Sequence, residues 1–158
     1  MKINRKTICL FNTNKAWGGG EKWHFEAGQF FKNAGHHVVF FAHPESALAV
    51  KAKEAGFQVP TFHIGNLSFL NPWKLYFLKN LFIAHNVHSV IFNLPSDFKA
   101  GSISASWANV SKIYYRRGMP NPLKDNLLNK ILIKNLITGI VANCYEIGNS
   151  LTQNTKTW

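Results

Sequence analysis

The sequence predicts an α/β fold: a doubly wound, mostly parallel sheet with helices on both faces. Three observations carry that prediction. Short apolar runs alternate with amphipathic segments along the chain, the pattern of repeated strand–helix–strand crossovers. Hydrophobic residues are 46% of 158 residues, enough for one domain with a proper core. A glycine-rich step, Gly18-Gly19-Gly20, separates the first apolar run from the first amphipathic one, where such folds turn toward a ligand.

Residues 7–11 read as a buried strand because they are short and largely apolar. The helix that follows places Trp23, Ala27, Phe30, Phe31 and Ala34 at helical spacing on one face, and Gly35 suits its left-handed cap. Residues 38–42 form a second strand. Ser46 caps a short helix whose inner side is Leu48, Ala52 and Ala55, and Gly56 ends it. Residues 58–64 read as a third strand, kept near an edge by Pro60. Asn71-Pro72 opens a helix in which Trp73, Phe77, Leu81 and Ala84 share a stripe. Its remaining apolar residues run nearly all round, as in a buried helix or a contact surface. Residues 89–92 are a fourth strand followed by a polar loop over 93–97, and 100–108 a closely packed helix. Residues 112–115 make a fifth strand, with Arg116 and Arg117 in the irregular loop beyond it. A helix over 127–136, a sixth strand over 140–143 and a short helix over 145–151 complete a six- or seven-stranded sheet. One domain covers 1–151, and 152–158 form a tail or the start of a connection.

Eighteen Lys and Arg against seven Asp and Glu give a net charge of +11, which favours a polyanionic neighbour without specifying the fold. Cys9 and Cys144 read as buried thiols in a reduced, cytoplasmic setting. The N-terminal apolar run is too short for a secretory signal, and polar residues interrupt 67–84, so neither leader nor membrane span is expected. The seven histidines show no metal-ligand spacing.

In an open parallel sheet the ligand edge is at the carboxyl ends of the strands. That edge gathers residues 12–21, 43–46, 93–97 and 116–122. Gly18–Gly20 can bring backbone N–H groups to a phosphate through positive φ angles, or simply ease a sharp bend. The run is neither G-x-G-x-x-G nor a P-loop. Asp97, one of only two Asp in the chain, reads as a carboxylate facing a substrate hydroxyl or as a cap on the following helix. Arg116 and Arg117 suit phosphate or carboxylate, or a plain ion pair. Among the histidines only His43 falls on this edge.

Five segments, in this order and spacing, resemble the N-terminal, acceptor-side half of a GT-B glycosyltransferase of the large retaining family four. They are Gly18-Gly19-Gly20-Glu21, Ala34-Gly35-His36-His37-Val38, Asn93-x-Pro-Ser-Asp97, Tyr115-Arg116-Arg117-Gly118 and Val141-Ala142-Asn143-Cys144-x-Glu146. The resemblance spans nearly the whole chain. It implies that Gly18, Gly19, Gly20 and Glu21 lie by the donor sugar and its phosphates, and that His43, Asn93, Arg116 and Arg117 shape the acceptor side. Asp97 would orient or deprotonate the acceptor hydroxyl. It also implies a nucleotide-sugar co-substrate with no metal or other cofactor, and a glycan or lipid-linked acceptor for cell-surface polysaccharide such as lipopolysaccharide. The expected location is cytoplasmic, at the inner face of an anionic membrane. The expected partner is a C-terminal donor-binding domain, since the paired glutamates of that half are absent. Cys144 departs from the Ser common in relatives. Two other readings compete: a basic nucleic-acid-binding α/β module, and a membrane-surface adaptor built on the aromatic helix.

Overall fold

The computed structural model describes residues 5–118 and 127–142. Five parallel strands, β1 (Thr7–Asn12), β2 (His37–Ala42), β3 (Val87–Phe92), β4 (Lys112–Arg117) and β5 (Gly139–Ala142), form one sheet in the order β2-β1-β3-β4-β5. The connecting helices are α1 (Gly19–Asn33), α2 (Ala47–Glu54), α3 (Pro72–Ala84), α4 (Pro95–Trp107) and α5 (Leu127–Leu136), with a 3-10 turn at Ser68–Leu70 before α3.

The sheet is covered on both faces, as the sequence predicts. Successive side chains of a strand point to opposite faces. Cys9, Phe11, Val39, Phe41, Val90 and Phe92 therefore meet Leu75, Leu78, Phe82 and Phe98 of α3 and α4, with Leu132 of α5 in the same core. Leu10, Phe40 and Ile91 meet Leu48 and Ala52 of α2 and the partly buried Trp23, Phe25 and Phe31 of α1. No helix among the described residues is long and apolar enough to cross a membrane.

Four expectations need correction. Residues 58–64 are an interrupted edge, not a strand. They bridge β2 only at Val39–Gln58 and Ala42–Thr61, because Pro60 has no N–H to donate to a ladder. The sheet therefore has five strands among the described residues, not six or seven. The helix expected from residue 100 begins at Pro95, whose missing N–H costs nothing in a first turn. Arg116 and Arg117 are the last residues of β4, paired with Val141 and Ala142, not part of a loop.

The buried faces of two helices also differ from the apolar stripes. In α1 the buried residues are Glu21, His24 and Gly28, while Phe30 is 68% exposed. Gly28 lets α1 lie close on the sheet, since a Cβ there would collide with the Phe40 ring at Cζ. In α3 the inner side is Leu75, Leu78 and Phe82, and Trp73 is 81% exposed. Ser46 caps α2 by accepting from the Ala49 N–H, and Gly35 takes φ 88°, both as expected. The loop beyond Gly118, Cys144 and the helix over 145–151 lie outside the described residues.

Candidate functional site

Parallel strands bring the ends of β1 to β4 to one edge. The organising group there is Glu21, in the first turn of α1 and only 3% exposed. Its Oε2 accepts from the Gly18 N–H at 2.9 Å, which ties the glycine step to the helix start. Its Oε1 accepts from Asn12 Nδ2 and Asn14 Nδ2, both at 3.0 Å, with Asn93 Nδ2 at 3.5 Å. Burial alone would raise the pKa of Glu21. The hydrogen bonds outweigh it and hold the carboxyl below its usual range, so the group is ionised at neutral pH.

Gly18, Gly19 and Gly20 do not use positive φ. Among the described residues only Gly35 and Gly56 are glycines in that region, and Gly18 is extended. Space explains Gly20 instead: a Cβ would fall 2.7 Å from Asn93 Nδ2. At Gly19 a Cβ would meet nothing within 4 Å, so this first residue of α1 faces open space. An α-helix leaves its first N–H groups without helical partners.

Asn93 continues the chain of contacts by accepting at Oδ1 from Arg116 Nη1 at 2.7 Å. The Arg116 guanidinium stacks over Trp23, 4.9 Å from the ring centroid. Arg117, next in the strand, faces the other way toward Tyr115 Oη at 3.5 Å. The two arginines thus do not act together.

Asp97 is fully buried. Its two oxygens accept from the Thr13 N–H at 2.8 Å and the Thr13 hydroxyl at 2.5 Å. Burial pushes its pKa up to about 7 against the pull of these bonds. The carboxylate is turned to the β1 loop, and it does not cap its own helix by any bond among the described residues. His24 lies beneath Glu21, fully buried, with Nδ1 3.1 Å from Gly20 O and Nε2 3.3 Å from Ile91 O. Burial lowers its pKa to about 4.

His43, at the end of β2, belongs to a separate group. Its Nδ1 accepts from the Glu45 N–H at 3.1 Å, its ring meets His63 at 4.4 Å, and Glu45 pairs with Lys15 at 2.7 Å. Burial and the neighbouring Lys15 and His63 lower its pKa. Among the described residues no three His, Cys, Asp or Glu side chains are grouped to hold a metal ion.

The structure thus joins Gly18, Gly20, Glu21, Asn93 and Arg116, sets Gly19 beside them at the helix start, and leaves His43, Asp97 and Arg117 outside that group. Sequence reasoning set residues 12–21 on this edge but gave Asn12, Thr13 and Asn14 no role of their own, and it missed Trp23 and His24 as members of the site. The signal for the first three was a polar triplet at the end of an otherwise apolar strand.

A parallel α/β sheet with a helix N-terminus and polar loops at its carboxyl edge is a Rossmann-like arrangement, with its crevice at that edge. No protein-family model matches the chain, and no curated protein sequence matches it. Solved structures do. HepE from Anabaena, solved in complex with UDP, superposes with TM-score 0.72 at 13% identity over 95% of this chain and 41% of that one. The lipopolysaccharide outer core galactosyltransferase WaaB gives 0.65 at 15%, over 94% and 42%. MurG from Acinetobacter baumannii gives 0.65 at 13%, over 87% and 41%. At such identities the likeness shows the fold alone, which is that of a GT-B glycosyltransferase domain. The chain spans about two-fifths of the length of these structures.

Proposed function

We propose that the chain is the acceptor-side half of a glycosyltransferase that passes a sugar from a nucleotide-sugar donor to a glycan or lipid-linked acceptor. The observation that carries this reading is the Glu21 cluster. It holds a helix N-terminus and a cationic side chain at the carboxyl edge of a fold shared with sugar-transferring enzymes. Gly19 and Gly20 present N–H groups toward the donor phosphates, with Glu21 as the post that fixes them. Asn93 and Arg116 line the acceptor side, and His43 borders it farther along the edge. Asp97 acts as a positioning residue, setting the β1 loop through Thr13, and through that loop it would orient the acceptor hydroxyl. Retaining, family-four chemistry and a cell-surface polysaccharide product remain part of the proposal.

A second α/β domain would hold the donor's nucleotide, in keeping with a chain that spans about two-fifths of the length of the structures it resembles. The chain alone is therefore expected to bind nucleotide sugars feebly and to transfer nothing, since positioning and water exclusion both need the closed cleft. The exposed side chains Leu67, Leu70, Trp73, Tyr76 and Phe77, flanked by Lys74 and Lys79, form the surface for the inner face of an anionic membrane.

The test is the coding sequence following Trp158, and the activity of the joined product. A second α/β half with paired glutamates, and sugar transfer once it is present, is the expected result. An unrelated continuation, or micromolar binding of UDP-, GDP- or ADP-sugars by this chain alone, overturns the division of labour.

A further inference from the structure

Arg116 is anomalous. It is 4% exposed, yet no carboxylate lies within ion-pair distance of it among the described residues, whose ion pairs are Lys15–Glu45 and Lys22–Glu26. One Nη1 bond to the neutral Asn93 amide and the face of Trp23 are its polar partners; its Nε is buried with none. Glu21 is near enough to be felt electrostatically, but its oxygens are already held by Gly18, Asn12 and Asn14. A buried cation without a counter-charge is costly unless a ligand supplies one. Gly118 is exposed, and a Cβ on it would stand 3.0 and 3.2 Å from Arg116 Nη1 and Nη2.

We infer that Arg116 is the centre of an oxyanion-binding site, bounded by Trp23, Asn93 and Gly118 and joined through Asn93 to the start of α1. The ligand group is a phosphate or carboxylate, whose two oxygens match a guanidinium edge. Asn93 links the two walls of the site: Oδ1 holds Arg116, and Nδ2 lies against Gly20 at the helix start. Helix N–H groups and a guanidinium then face the same negative charge. The inference deepens the glycosyl-transfer reading by giving the molecule held at this edge an anionic group, and rests on that reading only for the identity of the molecule. Two sources share the chemistry, the diphosphate of a donor and the carboxylate of an acidic sugar acceptor.

The experiment titrates the chain with inorganic pyrophosphate, with glucuronate and with neutral glucose, at ionic strength held constant with chloride. Calorimetry reads affinity, and ¹⁵N NMR reads the Arg116 Nε–H and the Gly19 and Gly20 amides. Saturable binding of one anion, with shifts at those three signals and none from glucose, is expected. Preference for pyrophosphate assigns the site to a donor, and preference for glucuronate to an acceptor. Arg116→Gln should weaken binding about tenfold or more. Gly118→Val, which crowds Nη1 and Nη2 while keeping the charge, should weaken it too and decides the matter if the first variant does not fold. Equal affinity in both variants, shifts elsewhere, or binding that follows ionic strength alone overturns the site. None of these readouts requires sugar transfer, so failure of the site and failure of the glycosyltransferase reading are separately visible.

Discussion

Replacing Asp97 by Asn should turn a nearly level pH profile of stability in weakly acidic solution into a rising one. The Asp97 carboxyl rises from 3.8 to about 7 on folding. Between those values the folded protein holds a proton that the unfolded chain has released, so stability falls as pH rises. The slope is about 1.4 kcal/mol per pH unit, on the order of 4 kcal/mol across the window. His24 acts in the opposite sense, since its pKa drops from 6.5 to about 4. On acidification the unfolded chain takes up that proton first, so stability falls as pH drops, on the order of 3 kcal/mol in all. Over the shared interval the two slopes offset, and together they leave stability nearly level. The amide introduced by Asp97→Asn has no proton to lose. Its oxygen can accept from the Thr13 N–H, and its NH2 can donate to the Thr13 hydroxyl in place of the bond that hydroxyl gives Asp97. Urea unfolding from about pH 4.5 to about pH 8 should then show the variant gaining roughly 1.4 kcal/mol per unit up to about 6.5, where wild type is flat. The variant should exceed wild type by a few kcal/mol, on the order of 3–4, at the alkaline end and converge with it at the acid end. His24→Gln should show the reverse slope. Parallel profiles for wild type and Asp97→Asn, or a less stable variant at the alkaline end, would refute the reasoning.

Glu21→Ala removes the acceptor shared by Gly18, Asn12 and Asn14; a loss of about 2–4 kcal/mol is expected, with amide exchange at Gly18 rising more than the global change explains. Gly101→Ala would drive a Cβ into the Phe92 ring at Cε1, so calorimetric melting should show about 1–3 kcal/mol of destabilisation. Gly19→Ala, where a Cβ meets nothing, should leave stability unchanged or gain up to about 1 kcal/mol; a comparable loss would mean the position is packed. Trp73→Ser together with Phe77→Ser should abolish co-sedimentation with vesicles containing phosphatidylserine at low salt while leaving the melting temperature within about 2 °C; undiminished binding would move the membrane surface elsewhere.

The fold was legible because its core speaks through hydrophobic pattern. Every residue of β1 from Ile8 to Phe11 is buried, and so reads as an apolar run. Helix starts with a chemical signature were also visible, in Ser46 and Asn71-Pro72. Where the pattern carried no contrast, the reading slipped. α3 is apolar on every side, so only packing decides that Leu75, Leu78 and Phe82 face inward. The buried face of α1 consists of Glu21, His24 and Gly28, at helical spacing but invisible to a hydrophobic scale. Glu21 three residues after Gly18 matches half a capping box, the one local clue to that face. The 72 residues between Glu21 and Asn93, and the 84 between Thr13 and Asp97, leave no periodic trace at all.

The two buried carboxylates show why type alone could not assign roles at this edge. Both Glu21 and Asp97 sit in the first turn of a helix that follows a parallel strand. Sequence logic ranks Asp97 as the reactive one and Glu21 as support. Their surroundings reverse the electrostatics. Glu21 gathers donors from Gly18, Asn12 and Asn14 and stays ionised, while Asp97 has only Thr13 and is pushed toward neutrality. Depth of burial together with the number of hydrogen bonds, both set by which loops the sheet brings together, decides which group carries charge. Both carboxylates are spent on holding loops, Glu21 on the glycine step and Asp97 on the strand that precedes it. With both occupied, the buried charge at this edge that no carboxylate among the described residues matches is that of Arg116. On the reading proposed above, that unmatched charge is what would hold and orient a negative ligand group.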